Sequence, residues 1–451
     1  MSQSSVLHHS LRHEPLVVTS TKGQYLTFST GQKIFDACGG AAVSCIGHSD
    51  ERVISAITKQ LQNVDYIYSG HYTTASVEQL SELILRDQNT FTHALFVSSG
   101  SEAMDSTLKL CRQYFVELEG LETQRTHFIS RRQSYHGATL GALSVGGHKF
   151  RRSFFEPLLE HNKVHQISPC YAYRHQTDSE DDYTETLIQE LIDAIEKVGI
   201  ENIAAFIFEP VVGAALAAVP PTKGYIRRVR EVCNRYGILM VCDEVMCGMG
   251  RCTDGKSLHA WKSLNPALPE DQIAPDIQTC GKGLGGGYAP ISAVLVSKKV
   301  ADVLASGSGT FRNGFTYQAH PTSCAGALAV QTIIKENNLL THAAQLGKIL
   351  ATLLLEKVAP LSHVGNIRGA GLFWGIEFVK DKTTKEPFDK AGAAVAVADA
   401  AFSKGIQIYV CGTVADGTLG DAVLIAPAYN CTEDEIRVIV DVVTAAIQEA
   451  F

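Results

Sequence analysis

The sequence predicts an α/β protein, with a large domain on a mainly parallel sheet and a smaller α+β lobe made from both chain ends. Three observations predict it. Near-continuous apolar runs such as "AAFIFEP" and "ILMVCDEV" alternate with amphipathic helical stretches, the pattern of a sheet covered on both faces. Residues able to do chemistry, Ser99-Gly100-Ser101, Glu209 and Asp243, fall at the ends of those runs, where ligands gather in such sheets. The two ends of the chain follow other patterns, a glycine-punctuated hairpin first and mixed helices and short strands last.

The elements follow in order. "GQYLTFSTGQKIFDACGG" reads as a hairpin with turn glycines. "ALFVSS" is a short strand leading into a helix, "SEAMDSTLKLCRQYFVEL", with Ala103, Leu108, Cys111 and Phe115 facing inward. "HFIS" is a further strand. The acidic run "DSEDD" (Asp178 to Asp182) reads as a solvated loop. Leu187, Ile188, Leu191, Ile192 and Ile195 keep a helical period that Gly199 ends. "AAFIFEP" is a strand stopped at Pro210. "GYIRRVREVCNRYG" is a helix closed by Gly237, and "ILMVCDEV" is a buried strand with a carboxylate pair at its end. After Leu339, "LFWGIEFV" and "AVLIAP" are strands of the smaller lobe. The expected divisions are residues 1–64, 65–325 and 326–451.

Bulk properties narrow the function. The 451 residues are 45% hydrophobic, enough for a large core and more than one domain or lobe. The net charge of -8 is spread out, with no basic patch of the kind that binds nucleic acid. No apolar run reaches transmembrane length, and "MSQSSVLHHSLRHEP" has no secretory apolar region. Of the twelve cysteines, Cys242 sits in a buried-strand run and Cys111 in an amphipathic helical pattern, which predicts reduced thiols and a cytoplasmic protein. Cys242, Cys247 and Cys252 recur every five residues, which is not zinc spacing, and no metal is expected.

The segment "QTCGKGLGGGY" sets Lys282 among five glycines. It is not a P-loop: Gly283 follows Gly281-Lys282 where Ser or Thr is needed, and Asp276 stands where the first glycine should be. So many glycines predict close approach of backbone to a bulky ligand. A phosphate seat lies elsewhere, in "VSSGSEAMD", where a strand runs through Gly100 into a helix N-terminus. The ordinary alternative there is N-capping by Ser101. A phosphate seat, a separate lysine and Asp243 at a strand end together match what pyridoxal 5'-phosphate requires: a Schiff-base amine, an acid for the ring nitrogen and a helix end for the phosphate.

Motifs spread over nearly the whole chain carry a resemblance. They include "LRHEP", "GGAAVSCIGH", "VSSGSEAMDSTLKLCRQYF", "RRQSYHGATLGALSV", "FEPVVGA", "CDEVMCGMGR", "TCGKGLGGGYAPISAVLVS", "FTYQAHPTSCAGALAV" and "IRGAGLFWGIE". In this order they resemble the class III, or ω-type, aminotransferases of pyridoxal phosphate fold type I. The resemblance implies a mostly parallel seven-stranded sheet between helices and a ping-pong transfer of an amino group from an amine or amino acid to a keto acid or aldehyde. It implies that Lys282 bonds the cofactor and shuttles the proton, that Asp243 pairs with the ring nitrogen, and that Glu209 lies near the ring's phenolic oxygen. Val245 and Tyr135 would press the two ring faces with His136 alongside, and Gly100 and Ser101 would hold the phosphate. Thr316 would complete the phosphate cup of a partner subunit, which implies a homodimer. Other reactions on this scaffold, an aminomutase or a decarboxylating transaminase, and a non-catalytic protein of this fold stay open as alternatives.

The chain also departs from that pattern. Many relatives carry a C-terminal arginine that pairs with a substrate carboxylate. Here Tyr409 of "GIQIY" stands in its place, and a tyrosine cannot replace a guanidinium. His71 and Tyr72 stand where relatives often have two aromatics, which implies a more polar pocket. The expected donor is therefore an amine that need not carry an α-carboxylate. Arg151 and Arg152 are the candidates for holding a carboxylate acceptor.

Overall fold

The computed structural model describes residues 4–86, 88–176 and 178–451. Seven strands make the central sheet: β1 (Phe91–Val97), β2 (His127–Arg131), β3 (Val164–Ile167), β4 (Ile203–Phe208), β5 (Leu239–Glu244), β6 (Ile277–Cys280) and β7 (Ser292–Ser297). Their order across the sheet is β1-β7-β6-β5-β4-β2-β3. The pairs from β3 through to β6 are parallel, and only β7 runs against both its neighbours. The reversal has a local cause. Residues 281–291 join β6 to β7 without a crossover helix, and a parallel return needs one of about a dozen residues or more.

Every residue of β4 and of β5 is buried, as their unbroken apolar runs require of strands covered on both faces. The helix Gly100–Glu119 buries Ala103, Cys111 and Phe115 as the period predicts, with Met104, Leu110 and Tyr114 beside them, while Leu108 is half-buried. The helix Tyr225–Tyr236 closes at Gly237, which takes the left-handed conformation (φ 61°) that favours glycine. One expectation fails. The acidic run is not a loop: Glu180, Asp181 and Asp182 form the first turn of the helix Glu180–Val198, capped by Ser179, whose side chain accepts from Asp182 N. Solvated acids there face the positive end of the helix dipole, which favours helix over loop.

Both chain ends do build one smaller lobe. Val18–Lys22, Tyr25–Phe28 and Lys33–Asp36 pair in antiparallel order, and Ile406–Gln407 adds to the last of them in parallel. A second antiparallel sheet orders Val364–Ala370, Phe373–Phe378, Asp421–Ile425 and Tyr409–Gly412. Phe35, Ile46 and Val53 from the first end share a core with Leu346, Phe378 and Val443 from the last. Buried Glu377 ties this lobe to the central domain by pairing with Arg174 and accepting from the Tyr171 hydroxyl, and it also pairs with Arg368 of its own sheet (2.5 Å). Among the described residues no helix is long and apolar enough to cross a membrane.

Candidate active site

Four strand ends converge. After β1 the chain passes Ser98 and Ser99 into the helix at Gly100. Glu209 follows β4, Asp243 is the penultimate residue of β5, and Lys282 lies two residues beyond β6. The β5–β6 register sets Asp243 directly beside Thr279. The Thr279 hydroxyl donates to Asp243 Oδ1 (2.9 Å), as does Val245 N (3.1 Å), and His136 Nδ1 donates to Oδ2 (2.7 Å). The carboxylate is thereby fixed in orientation. The other ring nitrogen of His136, Nε2, is buried without a hydrogen-bond partner among the described residues, an orphan that calls for a ligand group.

Glu209 is held by two backbone donors, Tyr135 N to Oε1 (3.0 Å) and Gly213 N to Oε2 (2.9 Å). Burial pushes its carboxyl above the usual range, opposed by His136 and reinforced by the charge of Asp243. Burial likewise lowers the Lys282 ammonium, against the pull of Asp243 and Glu209. Lys282 also sits at φ 44°, in the left-handed region that costs a side chain energy. Its strain sets the amine at the junction of β6 and the short turn Lys282–Leu284.

The glycines around it answer mostly to packing, which corrects the expectation of close ligand approach. A Cβ at Gly281 would meet Ser292 Oγ at 2.4 Å, and one at Gly285 would meet Ile291 Cγ2 at 2.7 Å. Gly286 and Gly287 turn at φ 58° and 88°. Of the five, only Gly287 lines the cavity that holds Lys282. The helix start also differs from its ordinary alternative. Ser99, not Ser101, caps the helix by accepting from Glu102 N (3.2 Å), while Ser101 Oγ accepts from Ala138 N (2.9 Å). The N–H groups of Gly100 and Ser101 precede the first intrahelical bonds and face outward with the positive helix end. A Cβ at Gly100 would lie 3.0 Å from Val245 Cγ1, so the turn after β5 packs against this seat.

These groups line one cavity of about 310 Å³, within the roughly 300–1,000 Å³ of small-ligand sites. It brings together Gly100, Ser101, Tyr135, His136, Glu209, Asp243, Val245 and Lys282 from the predicted set. Four predicted residues do not line it. His71 and Tyr72 are exposed, with His71 meeting the rings of Tyr72 and Tyr68 in T-shaped contacts. Thr316 is exposed, and its carbonyl accepts from the Tyr66 hydroxyl (3.1 Å). Tyr409 is half-buried on the edge strand Tyr409–Gly412. Burial raises its phenol, and the nearby Arg151 pulls the other way.

The two adjacent arginines part company. Arg152 is buried; it donates to the carbonyls of Leu143 (3.1 Å), Ser144 (2.8 Å) and Gly146 (2.5 Å) and pairs with Glu156 (2.9 Å). It is a packing residue and leaves the candidate set. Arg151 lies with its guanidinium carbon 4.6 Å from the centre of the Tyr135 ring. The structure adds Ser98, Ser292 and Val43 to the lining and Thr279 to the acid's support. Thr279 carried a signal, three residues before Lys282, but its bond to Asp243 depends on strand register. Cys242, Cys247 and Cys252 are buried thiols raised by burial.

Comparison with known proteins places this geometry among relatives. The family model described as aminotransferase class-III matches residues 7–447. An aminotransferase of Gibberella zeae is 44% identical over 446 residues, covering 98% of this chain and 85% of the relative. An uncharacterised aminotransferase of Schizosaccharomyces pombe is 41% identical, covering 98% and 94%. The fold is similar to that of an amine transaminase from an uncultivated Pseudomonas species, solved in its PLP-bound form, with a TM-score of 0.88, 32% identity and coverage of 99% and 97%.

Proposed function

The chain belongs to the class III aminotransferases, pyridoxal phosphate enzymes that transfer amino groups by a ping-pong cycle, and on that premise we propose that Lys282, Asp243 and Glu209 carry out its chemistry. The observation that carries this proposal is the meeting of the Lys282 amine and the Asp243 carboxylate in one cavity beside a helix N-terminus. The residues fit the cofactor. A lysine amine, an oriented acid, an orphaned histidine nitrogen and a helix end stand on one cavity wall after another.

When bound, pyridoxal phosphate supplies a carbonyl for the amine and a ring that takes up charge as the α-proton leaves. Lys282 Nζ takes that proton and returns it one position away. Burial lowers its ammonium, which favours the neutral amine. Asp243, with three donors fixing its oxygens, holds the ring nitrogen charged. Glu209, its carboxyl raised by burial and its oxygens held by Tyr135 N and Gly213 N, would lie on the phenolic side. Gly100 and Ser101 would seat the phosphate, and Val245 and Tyr135 would hold the ring. Borohydride reduction of the cofactor-loaded enzyme followed by peptide mass mapping should place the added mass on Lys282, and label on another lysine would refute the assignment.

We further propose a homodimer in which Thr316 of the partner subunit completes each phosphate seat. It is supported by the exposure of Thr316 outside its own cavity and by the self-complementary nature of two-fold interfaces. His71 and Tyr72 lie with it on exposed segments and join the pocket in the same assembly. The division into 1–64, 65–325 and 326–451 belongs to this reading, as does a cytoplasmic location, supported by the buried free thiols. The donor is an amine without a required α-carboxylate, because Tyr409 replaces the expected arginine. A donor panel of alanine, glutamate and polar primary amines, read as carbonyl released, tests that choice. Preference for the amino acids would refute it.

A further inference from the structure

We infer that Arg151 is the receptor for a substrate carboxylate, presented at the border of the cavity between the ring of Tyr135 and the side chain of Tyr409. The inference rests on the cavity being the place where amines and carbonyl compounds react, as proposed above, and it names the acceptor class as oxo acids. It starts from a contrast between the buried arginines and the exposed Arg151. Arg131, Arg152, Arg251 and Arg368 spend their N–H groups on backbone carbonyls, and Arg152 and Arg368 also on carboxylates. Arg151 does neither with its side chain among the described residues. Its guanidinium lies over the Tyr135 ring at 4.6 Å, and that ring lines the cavity.

Stacking of this kind engages the face of a guanidinium. The N–H donors lie in its plane; one faces the Tyr409 hydroxyl, and the rest stay available for a planar, bidentate acceptor. The aromatic face does not neutralise the charge, and the Tyr409 hydroxyl beside it is itself neutral and half-buried. The same guanidinium is within electrostatic reach of Lys282, where it adds to the effect of burial on the amine. A cation fixed by an aromatic wall, close to the reacting amine and lacking an anion of its own, is completed by an anion carried on the substrate. The geometry therefore supplies, from the helix Lys149–Arg152, the charge that Tyr409 cannot. Carboxylate-free amines use the same space without engaging Arg151, so both halves of a ping-pong cycle fit one pocket.

The test uses cofactor-loaded enzyme and two readouts. The first is binding: propionate and its neutral isostere propionamide are titrated against the cofactor absorbance band. Arg151→Gln should weaken propionate about 10- to 150-fold, the range for losing a charge-assisted hydrogen bond, and leave propionamide unchanged. Arg151→Lys should fall between, keeping charge but not the fork or the stack. The second is the acceptor half-reaction with pyruvate against propanal. Arg151→Gln should slow pyruvate alone. Equal losses for both probes, or for both acceptors, would show that Arg151 merely braces Tyr135 and would overturn the inference, as would no loss at all. If the wild type transfers no amino group to either acceptor, the functional reading fails by itself, and the propionate titration still decides the role of Arg151.

Discussion

Replacing Thr279 by valine removes one hydroxyl and keeps a β-branched side chain of similar shape in the strand. Thr279 is fully buried, so no water can substitute for the lost donor. Asp243 Oδ1 would keep only Val245 N at 3.1 Å, having lost the 2.9 Å bond from the hydroxyl. A hydrogen bond to a charged group is worth about 1.5–3 kcal/mol. If the bond supports the charge that Asp243 holds against the ring nitrogen, the loss appears in proton removal as a rate lower by roughly 10- to 150-fold, at 1.36 kcal/mol per tenfold. The assay is a stopped-flow amine half-reaction at saturating cofactor, with cofactor affinity measured separately by fluorescence. Thr279→Ser keeps the hydroxyl and should stay near the wild-type rate. The reasoning is refuted if Thr279→Val matches wild type in the half-reaction, or if its whole defect is loss of cofactor that excess cofactor restores.

Two further outcomes are expected. Glu244 is buried on the strand beside Asp243, and burial lifts its carboxyl from 4.5 to about 8. A carboxyl raised on folding adds stability that is whole below about 4.5 and is lost as pH rises through about 8. Melting temperatures of wild type should therefore fall more between those limits than those of Glu244→Gln, and parallel pH curves would contradict this. If Thr316 completes the neighbouring site, hybrids of inactive Lys282→Ala chains with inactive Thr316→Asp chains should regain activity, because one site then carries neither lesion. Hybrids that form without activity would remove the shared site.

The sheet was legible because its strands are buried on both faces, and burial writes itself into sequence as unbroken apolar runs such as 203–208 and 239–244. The single antiparallel strand, β7, was also within reach, since the short connection from Lys282 to Ile291 leaves no room for a crossover helix. What local pattern hides is pairing between distant segments. Ile406–Gln407 joins Lys33–Asp36, and nothing in either stretch names the other. The acidic run at Asp178–Asp182 misled because charge reads as loop unless the cap at Ser179 is weighed with it. The proposed lysine and acid, Lys282 and Asp243, were legible as isolated chemistry at strand ends and from the family motifs. Their supports were not: the bond from Thr279 to Asp243 follows from register, and the different fates of Arg151 and Arg152 follow from which side of a single helical turn each occupies.

The central claim, amino transfer through Lys282, meets its most direct test in a single turnover without acceptor. Cofactor-loaded wild type mixed with a reactive primary amine should release one carbonyl product per site and stop, then regain its original absorbance band when a keto acid is added. Lys282→Ala, folded and still binding cofactor, should release essentially none on the same timescale. Turnover by Lys282→Ala at the wild-type rate, or carbonyl release from wild type that continues without acceptor, would contradict the account.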